Sequence, residues 1–170
     1  MVDGVFGEVL ARRAIEDAGF AVHDANLVFQ TRCPNIDLIV YGKKTACYVQ
    51  VKSSRRPSSK GHVTIDGTPW SSEQLYQDAP IYNRRNSFIA SYVILVDVSA
   101  ETEFYIATPD ELTKLARPRA RKLADRPKRD GTRRSLNFRK ELSKELLVKW
   151  RNAWSRLGDP LDFREKISRR

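Results

Sequence analysis

Two short β-branched runs with polar residues set inside them constrain what this chain can fold into more than any other part of its sequence. The first is Asn35-Ile36-Asp37-Leu38-Ile39-Val40 and the second is Tyr48-Val49-Gln50-Val51-Lys52. Val and Ile favour a pleated strand, whereas an acid, an amide and an ammonium inside such runs are polar groups that a purely structural strand would not bury. Tyr41-Gly42-Lys43-Lys44-Thr45 lies between them, polar and containing glycine, so the pair reads as a β-hairpin. Side chains alternate faces along a strand, so Tyr48, Gln50 and Lys52 share one face and Cys47, Val49 and Val51 the other. If the loop is four residues long, Asp37 sits directly opposite Gln50. Carboxylate, amide oxygen and ammonium then converge on one patch of sheet.

That combination suits a divalent cation and a phosphodiester. Carboxylate and carbonyl oxygens are hard ligands for magnesium, and a neighbouring lysine stabilises charge on a phosphate or orients an attacking water. The pattern resembles the PD-(D/E)XK nuclease superfamily, with Pro34-Asn35-Ile36-Asp37 in the place of its proline and aspartate and Gln50-Val51-Lys52 as its catalytic-strand motif. Glu8, on a preceding helix, falls where many members carry an additional acid. The likeness spans roughly residues 4 to 53 and is most similar to the Holliday-junction-resolvase-like and Mrr-type branches. It departs from the commonest pattern twice. Asn35 separates the proline from Ile36-Asp37, and Gln50 stands where a glutamate is usual, as it does in Mrr-type members.

The resemblance implies an α/β, restriction-endonuclease-like fold with a mixed central sheet of about five strands flanked by helices, acting on DNA. It also implies magnesium, with manganese as a substitute. Asp37 is then the principal metal ligand, joined by the side-chain oxygen of Gln50 and the backbone carbonyl of Val51, with Glu8 as an outer ligand and Lys52 as the charge-stabilising group. Superfamily members often cut two strands as dimers, so a homodimer is implied as well. Each residue alone has a plainer reading: Asp37 as a turn aspartate, Lys52 as an edge-strand lysine, Glu8 as a partner of Arg12 four residues on. Two other functions stay open beside the nuclease. One is a DNA-binding or assembly protein that kept the fold and lost the chemistry, and the other is an RNA-binding or RNA-processing protein.

Charge points the same way. The net +10 is uneven: residues 1–113 hold 11 Lys plus Arg against 14 Asp plus Glu, and residues 114–170 hold 20 against 7. A field of one sign at one end of the chain favours a polyanion, either nucleic acid or an anionic membrane surface. No apolar run approaches a membrane span, and acids stand where a secretory signal has its basic region, so a cytoplasmic protein without membrane attachment is expected. Cys33, Cys47, His23 and His62 lack zinc spacing, and two cysteines make no disulfide framework, so no disulfide-linked partner is expected either.

One domain is expected over residues 1–170, with a core over about 3–116, a basic loop and C-terminal helix over about 117–158, and a polar tail at 159–170. Residues 3–18 read as a helix whose apolar stripe is Val5, Phe6, Val9, Leu10, Ala14 and Ala18, ended by Gly19, with Glu8 at the stripe's edge and Glu16 as a reserve candidate for its role. A first strand is expected within 20–30, broken near Asp24-Ala25-Asn26. Arg32 precedes the hairpin, and Arg55, Arg56 and Lys60 sit in the polar loop after it, all candidates for phosphate contacts. A short strand at 62–65 and a helix from Ser71 or Ser72 to about Arg84 follow, the latter ending on Arg84 and Arg85. Strands are expected at 88–98 and 103–107, then a helix opened by Thr108, Pro109 and Glu111. Arg117, Arg119, Arg121, Lys128, Arg129, Arg133 and Arg134 make the strongest nucleic-acid-binding segment, with a solvated basic loop as its plainer reading. A basic C-terminal helix over 136–157 is expected to pack Trp150 and Trp154 into the core.

Overall fold

The computed structural model describes residues 2–31, 33, 36–53, 64–65, 90–98, 101–112, 114, 136–137 and 148–161. In chain order these form helix α1 (Val2–Asp17), strand β1 (Ala21–Asp24), helix α2 (Ala25–Phe29), strands β2 (Leu38–Tyr41), β3 (Ala46–Ser53), β4 (Thr64–Ile65), β5 (Tyr92–Val98), β6 (Thr102–Ala107) and β7 (Leu136–Asn137), and a 3-10 helix at Trp154–Leu157. The main sheet has five strands in the order β1-β2-β3-β5-β6, and β4 and β7 pair separately. β1, β2 and β3 run antiparallel in sequence, β3 and β5 run parallel, and β6 returns antiparallel to β5. The sheet is therefore mixed, with helices against it, as expected. A parallel pair needs a long crossover, supplied here by the chain between Ser53 and Tyr92, which contains β4.

The expected hairpin forms, and its loop is four residues long. Pairing runs from Leu38↔Val49 to Tyr41↔Ala46, leaving residues 42–45 as the connection, closed by the Gly42 amide donating to the Thr45 carbonyl at 2.8 Å. The two faces of β3 separate as alternation requires. Cys47, Val49 and Val51 join Leu38, Val40, Ile94 and Val96 in the core that α1 covers with Ala11 and Ile15. Burying a side chain the size of Ile15 or Ile94 fully contributes roughly 1.5–3 kcal/mol.

The roll of α1 corrects the expected stripe. Ala11 and Ile15 are fully buried, whereas Val5, Phe6 and Val9 are exposed. The reason is at Gly7. A Cβ there would overlap the side chain of Ser53, so the small residue lets the helix rest directly on the end of β3 and turns the Gly7-Ala11-Ile15 row inward. Gly19, at φ +93°, ends the helix: its amide donates to Glu16 and the Phe20 amide to Ile15, the paired bonds of a Schellman motif.

The expected first strand is also shorter, because Asp24 converts its second half into helix. Its Oδ1 accepts from the amides of Asn26 at 2.8 Å and Leu27 at 3.3 Å, an N-cap that starts α2. The capping box at Thr108 forms as read from the sequence: the Glu111 amide donates to Thr108 Oγ1, and the Thr108 amide to Glu111 Oε2. The helix expected over 136–157 is corrected at both ends. Residues 136–137 are a strand, helix is present at 148–150, and Asn152, at φ 49°, breaks it before the 3-10 turn.

Trp150 is buried and Trp154 packs its ring 5.4 Å from Phe104, so both tryptophans belong to the core, as expected. The expected polar tail is tied down where it begins. The Lys43 amide donates to Asp159 and the Leu161 amide to Gly19, clipping the chain across the hairpin loop and the end of α1. The helix expected after Ser71 lies outside the described residues. Among the described residues no helix is long and apolar enough to cross a membrane, and Cys33 and Cys47 are both buried free thiols.

Candidate functional site

The polar residues of the hairpin gather where β2 and β3 part company. Pairing between them stops at Leu38↔Val49, and β3 runs on to Ser53 paired with β5. One further step of the register faces Asp37 with Gln50, but Asp37 leaves the ladder. Its amide donates to the Val49 carbonyl at 2.9 Å, its own carbonyl accepts from Ala25 at 3.0 Å, and its Oδ2 accepts from the Val51 amide at 2.7 Å. A side-chain oxygen thus occupies the ladder position that a β2 carbonyl would otherwise fill. In a strand the N–H and C=O of one residue point to the same edge. The Val51 carbonyl therefore faces the same gap as the Asp37 carboxylate.

Gln50 and Lys52 stand beside this gap on the β3 face opposite α1. In the parallel register Gln50 lies next to Val93 and Lys52 next to Leu95, both buried, so an apolar wall closes one side of the patch. Gln50 is only 4% exposed and is held by a further interaction, while among the described residues its buried Oε1 accepts no hydrogen bond. Lys52 is half-buried.

Glu8 is brought in by α1. The close seat of Gly7 on Ser53 places the next residue beside the end of β3, half-buried and within electrostatic reach of Asp37, Asp24 and Lys52. Burial raises the Glu8 carboxyl above its ordinary range, the negative charges of Asp37 and Asp24 raise it further, and Lys52 offsets part of this. Burial likewise raises Asp37, against the Val51 hydrogen bond and Lys52, with Asp24 adding to the rise. Two carboxylates whose ionised forms are disfavoured by burial and by each other gain from a nearby cation.

Glu16 is no substitute for Glu8: it is exposed and ion-paired with Arg12 at 3.0 Å. Asp24 was not singled out in the sequence, yet it borders the site through the Asp24↔Leu38 pair and the Ala25 bond to Asp37. An acid before a short apolar run was the available signal, but it marks a helix cap and says nothing of what the cap adjoins. Arg32, Arg55, Arg56, Lys60, Arg84, Arg85, Arg117, Arg119, Arg121, Lys128, Arg129, Arg133 and Arg134 all lie outside the described residues.

Among the described residues no three His, Cys, Asp or Glu side chains form a metal-binding group by themselves. The oxygens near the parted strands that could serve a cation are the carboxylates of Asp37 and Glu8, the Gln50 amide oxygen and the Val51 carbonyl. Magnesium fits such a set, because it is commonly held by one or two carboxylates and completes its shell with water and substrate phosphate. Zinc does not, since neither thiolate nor imidazole is present among these donors.

No protein-family model and no curated protein sequence matches the chain. Among solved structures it is similar to a bacterial homing endonuclease, I-Ssp6803I, with a TM-score of 0.51 at 17% identity, covering 99% of this chain and 95% of that one. The likeness shows a shared fold.

Proposed function

We propose that the protein is a divalent-metal-dependent DNA endonuclease of the PD-(D/E)XK superfamily. The observation that carries this reading is Asp37 at the parting of β2 and β3, its carboxylate bonded to Val51 in the middle of the Gln50-Val51-Lys52 run. The fold shared with a homing endonuclease supports it, and so does the excess of 13 positive charges over residues 114–170, which suits a polyanionic substrate.

The residues divide the work by their chemistry. Asp37, with Oδ2 fixed by the Val51 amide, presents Oδ1 and the adjoining Val51 carbonyl as hard oxygen donors. Gln50 adds a neutral amide oxygen, and Glu8 supplies negative charge from the α1 side. Bound magnesium supplies Lewis acidity toward a phosphate and makes water a better nucleophile near neutral pH. Lys52, against the apolar wall of Leu95, donates hydrogen bonds to a phosphate oxygen or holds the attacking water in line. Gln50 carries no charge, so the site offers the metal one negative charge fewer than a glutamate in its place would, and metal affinity is correspondingly modest.

Supercoiled, linear and four-way-junction DNA, each incubated with magnesium or manganese and with EDTA, tests the proposal. Cleavage is expected with either metal, and none with EDTA or with folded Asp37→Ala or Lys52→Ala protein. Undiminished cleavage by both variants rejects the assignment.

A further inference from the structure

We propose that Asp24 is a positioning residue of the metal site, holding Asp37 in place through the cap of α2 and adding negative charge that favours the cation. The inference rests on the nuclease reading and extends it to a residue outside the superfamily pattern. Asp24 ends β1 opposite Leu38, the neighbour of Asp37 in sequence. Its Oδ1 accepts from Asn26 and Leu27 and so fixes the first turn of α2. Two bonds run from that turn to the segment carrying Asp37: the Ala25 amide donates to the Asp37 carbonyl at 3.0 Å, and Asn26 Oδ1 accepts from the Cys33 amide at 2.8 Å. The turn therefore grips the β1–β2 connection just before Asp37 and at Asp37 itself, which is where that residue departs from the ladder. The cap uses Oδ1, and the net charge of the carboxylate remains in the field felt by both Asp37 and Glu8.

The two roles separate cleanly, because asparagine caps a helix about as well as aspartate and alanine does not. Full-length wild type, Asp24→Asn, Asp24→Ala and Asp37→Ala are compared by thermal unfolding in EDTA and by calorimetric titration with magnesium and manganese in the absence of DNA. Asp24→Asn is expected to keep the wild-type Tm or exceed it, since the cap is retained and the repulsion on Asp37 and Glu8 is relieved, while binding either metal roughly 3- to 10-fold more weakly, the loss of one partly screened charge. Asp24→Ala is expected to bind metal more weakly than Asp24→Asn and to show a Tm about 2–6 °C below that of Asp24→Asn. Metal affinity unchanged in Asp24→Asn, with affinity lost in Asp37→Ala, overturns the charge role and leaves the nuclease reading standing. Metal affinity in Asp24→Ala equal to that in Asp24→Asn overturns the positioning role. Undiminished metal binding by Asp37→Ala rejects the metal site itself, and this inference with it.

Discussion

Asp37 is asked to do two things that oppose each other. Its Oδ2 replaces a missing ladder acceptor for the Val51 amide, which stabilises the fold, while its charge sits in a half-buried place beside Glu8 and Asp24. A carboxyl whose folded pKa is raised contributes stability that is fully present below its unfolded pKa and lost as pH rises through the folded value. At neutral pH the ionised Asp37 is therefore a cost to the metal-free protein. Asp37→Asn keeps a side-chain oxygen for Val51 and removes the charge. We expect its Tm in EDTA to rise, by about 2–4 °C for each ~1 kcal/mol relieved in a chain of this size, while metal-dependent cleavage is lost. A lower Tm would mean that the charge is well compensated in the resting protein.

α1 depends on one close contact, and the Thr108 turn on a cluster around one carboxylate. Replacing a mid-helix glycine with alanine gains about 1 kcal/mol of helix propensity, but at Gly7 the new methyl meets Ser53, and overpacking of this kind costs about 1–3 kcal/mol. The clash is the larger effect. Gly7→Ala should lower Tm and displace Glu8 from the end of β3, reducing cleavage more than its stability loss explains, and Gly7→Ala with Ser53→Gly should restore both. A Tm increase for Gly7→Ala alone would show that α1 does not rest on Ser53.

Glu111 ties its own turn to the C-terminal segment, through Thr108, through Arg156 at 2.5 Å and through Lys149 at 3.3 Å. Burial raises its carboxyl, but the Arg156 and Thr108 hydrogen bonds, the Arg156 charge and Lys149 together hold it at about 2, below the ordinary 4.5. For a depressed carboxyl the stabilisation is complete above the unfolded pKa and disappears as pH falls through the folded one. Between about 4.5 and about 2 the wild type should lose stability that Glu111→Gln lacks at every pH. Circular dichroism of both proteins across that window should show their stabilities converging on acidification, and a constant gap would contradict the ion pair.

For the whole molecule the decisive quantity is where the charge lies. Residues 114–170 carry 20 basic against 7 acidic side chains, while the part of the chain holding the hairpin is slightly acidic. Phosphate neutralisation releases counterions, so affinity for duplex DNA should fall linearly on a log–log plot against salt, with a slope that loses about 0.9 per contact removed. Replacing Arg117, Arg119, Arg121, Lys128 and Arg129 with glutamine should lower affinity and flatten the slope together, measured by fluorescence anisotropy at several salt concentrations. An unchanged slope would place the DNA on another surface.

Much of this protein was settled by local sequence alone. The hairpin and the two faces of β3 follow from β-branched runs, a glycine-containing connection and a period of two, all of which act over a few residues. The capping box at Thr108 and the stop at Gly19 are legible for the same reason. What the sequence left undecided depends on partners far away in the chain. The stripe of α1 named Val5, Phe6 and Val9 for burial because periodicity reports which residues are apolar and not how closely a helix approaches. Gly7 against Ser53 sets that approach, and with it the place of Glu8. The departure of Asp37 from the ladder was equally hidden, since Ala25, Val49 and Val51 share its backbone and side-chain bonds only after β1, α2 and β3 have been brought together. Local propensity chose the strands; the packing of α1 and the α2 cap against their parted ends decided which polar groups meet.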